Sequence, residues 1–132
     1  MALFGMFDKR ERPLILHIDD SHLVLMTVQT ILSALGYDSI QCLSGEDGIE
    51  TAVAKKPDLI LVDTMMPVMD GYQTIHHLRT RKETAAIPII MLTGDDKLSA
   101  VEMALNSGAN DYIVKPVKEE RLKAKLEVLI KR

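Results

Sequence analysis

Tryptophan is absent from the 132 residues, and aromatic side chains make up only 4% of them. A core must therefore be filled by Leu, Ile, Val, Ala and Met, and the eight methionines read as adaptable packing rather than a special surface. Cysteine is nearly absent too. Cys42 alone excludes an internal disulfide and a thiolate metal cluster, and it reads as a small buried hydrophobe consistent with a cytoplasmic location. No apolar run is long enough to cross a bilayer, so no membrane span is expected. Positive charge is not in surplus. The net charge of −3 gives no long-range attraction to nucleic acid or to an anionic membrane. What is present, 47% hydrophobic and 27% charged residues, suits one soluble domain with a single core.

Residues 1–12 read as an N-terminal tail, and 13–132 as the domain. The tail sets Leu3, Phe4, Met6 and Phe7 ahead of Asp8, Lys9, Arg10, Glu11 and Arg12, the reverse order of a secretory signal. It is expected to be mobile or packed on its own domain, with a weak amphipathic anchor or docking arm as the alternative.

From Pro13 onward, short apolar runs alternate with segments of helical period. Leu14 to Ile18 is a buried strand, and Ser21 then offers an N-cap for a helix bearing Leu25, Val28, Ile31, Leu32 and Leu35, stopped at Gly36. Asp38 to Leu43 is a second strand, and Ser44 with Asp47 makes a capping-box-like start for a helix through Ile49, Ala52 and Val53. Leu59 to Val62 has no polar alternation, as in a central strand covered on both faces. A helix after Gly71 carries Ile75 and Leu78 and is expected to finish in Arg79, Arg81 and Lys82. Pro88 to Leu92 is the fourth strand, followed by a helix through Leu98, Val101, Ala104 and Leu105 that stops near Gly108. Tyr112 to Val114 is the fifth strand, and a last helix turns Leu122, Leu126, Leu129 and Ile130 inward. Five such alternations imply an α/β fold, a mostly parallel sheet with helices on both faces.

The strands end on chemistry. Asp19-Asp20 follow the first, Asp63 the third, Thr93 the fourth and Lys115 the fifth, and in a parallel sheet these ends share one edge. Two carboxylates about 4 Å apart repel by roughly 4 kcal/mol at an effective dielectric near 20. Lys115 offsets part of this, and a divalent cation would offset more. Oxygen donors without a His or Cys cluster favour a hard ion such as Mg²⁺. A carboxylate nucleophile, a metal, a lysine and the Thr93 hydroxyl together describe a phosphoryl-accepting site.

With Asp19-Asp20, Asp63, Met66-Pro67, Asp70-Gly71, Thr93-Gly94 and Lys115-Pro116 in this order, the chain resembles a CheY-like response regulator receiver domain from about Leu14 to Ile130. The resemblance implies a doubly wound (βα)5 flavodoxin-like sandwich with strand order 2-1-3-4-5. It implies that Asp63 accepts a phosphoryl group from a histidine kinase or histidine phosphotransfer protein, with Mg²⁺ as cofactor. Asp20, Asp63 and the Met65 backbone carbonyl would hold the ion, with Asp19 acting mainly through water. Lys115 and Thr93 would bind the phosphoryl oxygens, Pro116 would follow a cis bond, and Tyr112 would turn inward with Thr93 as the switch. Met65 and Asp95 would set the lifetime of the phosphoryl group. In enzymatic terms the chain would act only on itself, catalysing its own phosphotransfer and dephosphorylation. It would signal through the Thr93/Tyr112 face to an unknown downstream protein target.

Other readings fit less well. An aspartyl phosphatase usually has a second acid two residues past the nucleophile, where this chain has Met65. A flavodoxin-like redox protein needs a Ser/Thr/Gly-rich loop where Asp19-Asp20-Ser21-His22 stand. A phosphorylation-independent scaffold would not require the full acidic set. With its last residue at Arg132, the chain is expected to be a single-domain regulator, the alternative being the receiver fragment of a longer protein. His17 reads as a hydrogen-bonded core histidine and the adjacent His76-His77 as surface residues. Lys118, Arg121, Lys123 and Lys125, mixed with Glu119, Glu120 and Glu127, read as a solvated face.

Overall fold

In the computed structural model, which describes residues 11–130, every expected strand and helix forms. The tail reading falls almost wholly on residues 1–10, outside the described residues. The strands are β1 (Leu14–Ile18), β2 (Asp38–Cys42), β3 (Leu59–Asp63), β4 (Ile89–Thr93) and β5 (Asp111–Val114). The helices are α1 (His22–Ala34), α2 (Gly45–Lys55), α3 (Gly71–Thr80), α4 (Leu98–Asn106) and α5 (Glu119–Leu129). All neighbouring strands pair in parallel, in the order β2-β1-β3-β4-β5. This is the doubly wound, flavodoxin-like order that the resemblance implies, with β3 at the centre and buried along its whole length.

Period-two alternation divides the strand side chains between two apolar layers. Leu16, Ile18, Ile60, Val62, Ile89 and Met91 pack with Ile49 and Ala52 of α2, Ile75 and Leu78 of α3, and Ala104 of α4. Ile15, Leu59, Leu61, Ile90, Leu92 and Ile113 pack with Val28 and Leu32 of α1 and Leu122 and Leu126 of α5. Cys42 is buried as expected, and its Sγ lies 3.3 Å from Thr51 Oγ1.

Two basic residues have more specific places than their local sequence suggests. α3 ends at Thr80, before Arg81 and Lys82, so only Arg79 of the expected basic finish lies on the helix. The Arg79 guanidinium instead donates to the carbonyls of Gly108, Ala85 and Ile87 and to Asn110 Oδ1, tying α3 to the entry of β4 and the exit of α4. Arg12, grouped with the tail on sequence, donates to the carbonyls of Ser33, Gly36 and Tyr37 and so caps the end of α1.

Candidate functional site

Each acid reaches the site because a buried strand stops there. β1 delivers Asp19, whose backbone N–H continues the ladder to Cys42 O, and Asp20 follows it into solvent. Asp63 is the last residue of β3. One carboxylate oxygen from each of Asp19, Asp20 and Asp63 lies within 4.8 Å of the others, with Asp19 and Asp63 buried and Asp20 exposed. Lys115 reaches in from beyond β5 and donates to Asp63 Oδ1, with Asp19 Oδ2 at 3.4 Å. Two of the three carboxylates thus share one ammonium.

The charges leave their mark on proton affinity. Burial raises the Asp63 pKa; the Lys115 hydrogen bond opposes this, and repulsion from Asp19 and Asp20 adds to it. Burial works against the Lys115 charge, but the bond and attraction of Asp63, helped by Asp19, outweigh it and hold the Lys115 pKa above its ordinary value. The donor set of three carboxylate oxygens with no sulfur fits a hard divalent cation, which would also relieve the excess negative charge.

The loop after β3 is shaped by backbone contacts. Thr64 donates from both its amide and its hydroxyl to Leu92 O, locking the end of β3 to β4. Met65, two residues past Asp63, is 78% exposed. Val68 takes φ 70°, and the Met69 amide donates to Pro67 O at 2.9 Å, so a γ-turn reverses the chain there. Asp70 then caps α3: its side chain accepts from the Gln73 amide while the Gln73 side chain accepts from the Asp70 amide. Gly71 opens the helix against the β3 end, where an added Cβ would stand 2.2 Å from the Asp63 carbonyl oxygen.

Thr93 ends β4, and its carbonyl accepts from the Lys115 amide at 2.7 Å, which sets the two strand ends side by side. The Thr93 hydroxyl is engaged within its own loop, accepting from the Asp95 amide at 3.1 Å. The Lys115–Pro116 peptide is cis. Tyr112, paired in register with Met91, lies half-buried on β5.

Two sequence readings need correction. His17 is fully buried as expected, yet neither ring nitrogen has a hydrogen-bond partner among the described residues. Lys125 is not simply solvated: its ammonium pairs with Asp111 at 2.9 Å and lies 5.5 Å from the Tyr112 ring centroid. Lys118, Arg121 and Lys123 are exposed, as are His76 and His77. The Asp70–Gln73 box and the Thr64 tie escaped sequence reasoning. The first had a signal, an acid followed three residues later by Gln ahead of an apolar stripe. The second had none, because its acceptor is a backbone carbonyl of another strand.

A doubly wound parallel sheet with three acids and a lysine at one edge defines a class of phosphoacceptor signalling domains. The description "Response regulator receiver domain" matches residues 15–127, and the chain belongs to that family. It is a receiver domain of the two-component system kind. It is 38% identical over 120 residues to the DNA-binding dual master transcriptional regulator RpaA of Synechocystis sp., covering 91% of this chain and 50% of that protein. It is 36% identical to Protein PilH of Pseudomonas aeruginosa over 82% of this chain and 89% of that one. The chain thus spans about half the length of several curated relatives it matches, RpaA among them, and most of PilH. Among solved structures, the receiver domain of a sensor histidine kinase from Pseudomonas aeruginosa PAO1 aligns with TM-score 0.84 and 30% identity, over 90% of this chain and 98% of that one. That structure has a magnesium ion coordinated in its active site cleft. Among the described residues no helix is long and apolar enough to cross a membrane.

Proposed function

We propose that the chain is a single-domain response regulator whose Asp63 accepts a phosphoryl group from the phosphohistidine of a kinase or phosphotransfer protein. The observation that carries this is Asp63 itself: the last residue of the central strand, buried, bonded to Lys115 and within 4.8 Å of the oxygens of Asp19 and Asp20. An Asp63 oxygen attacks phosphorus, a new P–O bond forms, and the P–N bond to the donor imidazole breaks with its electron pair returning to nitrogen. Lys115 is positioned to bind the oxygens of the transferring group, and Thr93 joins it once its hydroxyl leaves Asp95. Asp20, Asp63 and the Met65 carbonyl are the proposed holders of Mg²⁺, with Asp19 acting through water. Bound there, the ion supplies positive charge to the phosphoryl oxygens. The magnesium in the cleft of the Pseudomonas aeruginosa neighbour supports this assignment. Domain limits of 13–132 and a cytoplasmic location belong to the same reading.

Mass spectrometry after incubation with acetyl phosphate and Mg²⁺ tests it. A phosphoryl adduct is expected on the wild type and not on Asp63→Asn, and EDTA should suppress it. An adduct that persists in the variant or with EDTA would falsify the assignment. Asp20→Ala should lower Mg²⁺ affinity more than Asp19→Ala. A second reading, the receiver portion of a longer regulator, is favoured by relatives whose length this chain spans only about half of. The intact mass of the protein isolated from its own cells separates the two.

A further inference from the structure

Asp19 is the most enclosed acid of the site, its side chain only 1% exposed. Its Oδ1 accepts from the Ser21 amide at 2.9 Å. Its Oδ2 faces Lys115 Nζ at 3.4 Å, the ammonium that Asp63 holds more closely. The other side-chain nitrogen beside Oδ2 is His17 Nε2, at 3.9 Å. That is too far for a hydrogen bond, and near enough that a shift of about 1 Å would make one.

His17 sits one pleat below Asp19 on β1, opposite Leu61 of β3. A buried imidazole with both nitrogens unpartnered costs stability that an aliphatic side chain there would not. An uncharged imidazole carries one N–H donor and one bare nitrogen. A neutral donor suits this place, because it satisfies a carboxylate without competing with Lys115 for the phosphoryl charge.

Lys115 serves two acids with one charge. A phosphoryl group on Asp63 adds anionic oxygens beside the ammonium, and the ammonium follows them. Asp19 Oδ2 is then left walled off without its counter-charge. We propose that His17 is the positioning residue that receives Asp19 at that moment, its Nε2–H closing the gap and donating to Asp19 Oδ2. The proposal rests on the phosphoacceptor reading above. Because the bond is made only in the phosphoryl-bearing state, it favours that state over the resting one.

Uniformly ¹⁵N-labelled protein titrated with beryllofluoride and Mg²⁺ provides the test. The His17 Nε2–H proton should move downfield as beryllofluoride saturates Asp63. In His17→Leu the apparent beryllofluoride affinity should fall about tenfold, the scale of one hydrogen bond to a buried charge. His17→Gln, which restores an N–H donor, should recover most of the loss. An unmoved His17 resonance at saturation, or a His17→Leu variant that binds as wild type does, overturns the role of His17 and leaves the Asp63 reading standing. Absence of any beryllofluoride response in the wild type, measured on amides around Asp63, overturns both. Should His17→Leu fail to fold, the wild-type resonance decides alone.

Discussion

Met65 stands two residues past Asp63 with its side chain in solvent, and a thioether gives an attacking water nothing to orient it. Met65→Asn supplies an amide at the same place. We expect purified phosphoprotein of this variant to lose its phosphoryl group several-fold faster, the scale of a positioned water, with decay followed by mass spectrometry. Equal or slower decay would assign the lifetime to Asp95 or the loop backbone. Asp63 itself carries a second expectation. Its raised pKa means that the folded chain holds this proton more tightly than the unfolded chain does. The resulting stability is complete below the ordinary carboxylate range and is lost as pH rises through the raised value. Ionised Asp63 is therefore a burden at neutral pH, and Asp63→Asn should stabilise the fold by on the order of 1 kcal/mol. Urea denaturation should show the gap at about pH 7.5 and a narrower one at about pH 4.5. A variant less stable than wild type at the higher pH contradicts the sign. Single residues were also where sequence reading reached least far. The partners of Arg79 lie 29 and 31 positions away at Gly108 and Asn110, and no local pattern announces them. That the His17 nitrogens meet no hydrogen-bond partner among the described residues was equally invisible, since alternation states which face a side chain takes and not what it meets there.

The elements, by contrast, were legible almost to the residue. Four strands hold apolar runs too short for a helix, β2 alternates Ile40 and Cys42 with polar neighbours, and the helices carry their apolar residues at a 3.6 period, so the patterns rarely compete. Acidic, hydroxyl and ammonium groups at four strand ends were legible for the same reason, because parallel strands bring their ends to one edge. Strand boundaries fall within a residue of the reading, and the larger difference is α3, which stops at Thr80, short of the basic residues that suggested its end. The start of α3 is the element on which Asp63 leans. Gly71 touches the Asp63–Thr64 backbone, and the neighbouring atoms there are main chain that cannot turn aside. Gly71→Ala should cost about 1–3 kcal/mol, as overpacking does, and slow phosphorylation by displacing the nucleophile. Denaturation with a parallel acetyl phosphate time course checks both. Wild-type values for each would mean that the loop has slack.

Across the whole molecule, the face built from α4, β5 and α5 is the proposed output surface. α4 exposes Leu98, Met103 and Leu105, and Tyr112 lies half-buried beside it on β5, under Lys125. If Thr93 closes on the phosphoryl group, Tyr112 can turn into the space left, burying apolar area at about 25 cal/mol per Å². The Lys125 contact is what the ring must give up. Amide exchange with and without beryllofluoride should change most from Thr93 to Asn106 and around Tyr112. Tyr112→Ala should weaken those changes while Asp63 is still phosphorylated. Changes centred on α1, Leu23 to Ala34, would move the output face there.

The placing of β1 has a mechanical side. It lies inside the sheet, in register at five positions with β2 and at four with β3, and Arg12 ties the chain just ahead of it to the end of α1. A pull on the chain ahead of Arg12, along the strand, would load both ladders in shear, many hydrogen bonds at once. A pull on the far end would load α5 instead, which is held to the sheet through the burial of Leu122 and Leu126 rather than by a strand ladder. The two ends would therefore pass force into the domain through different kinds of contact.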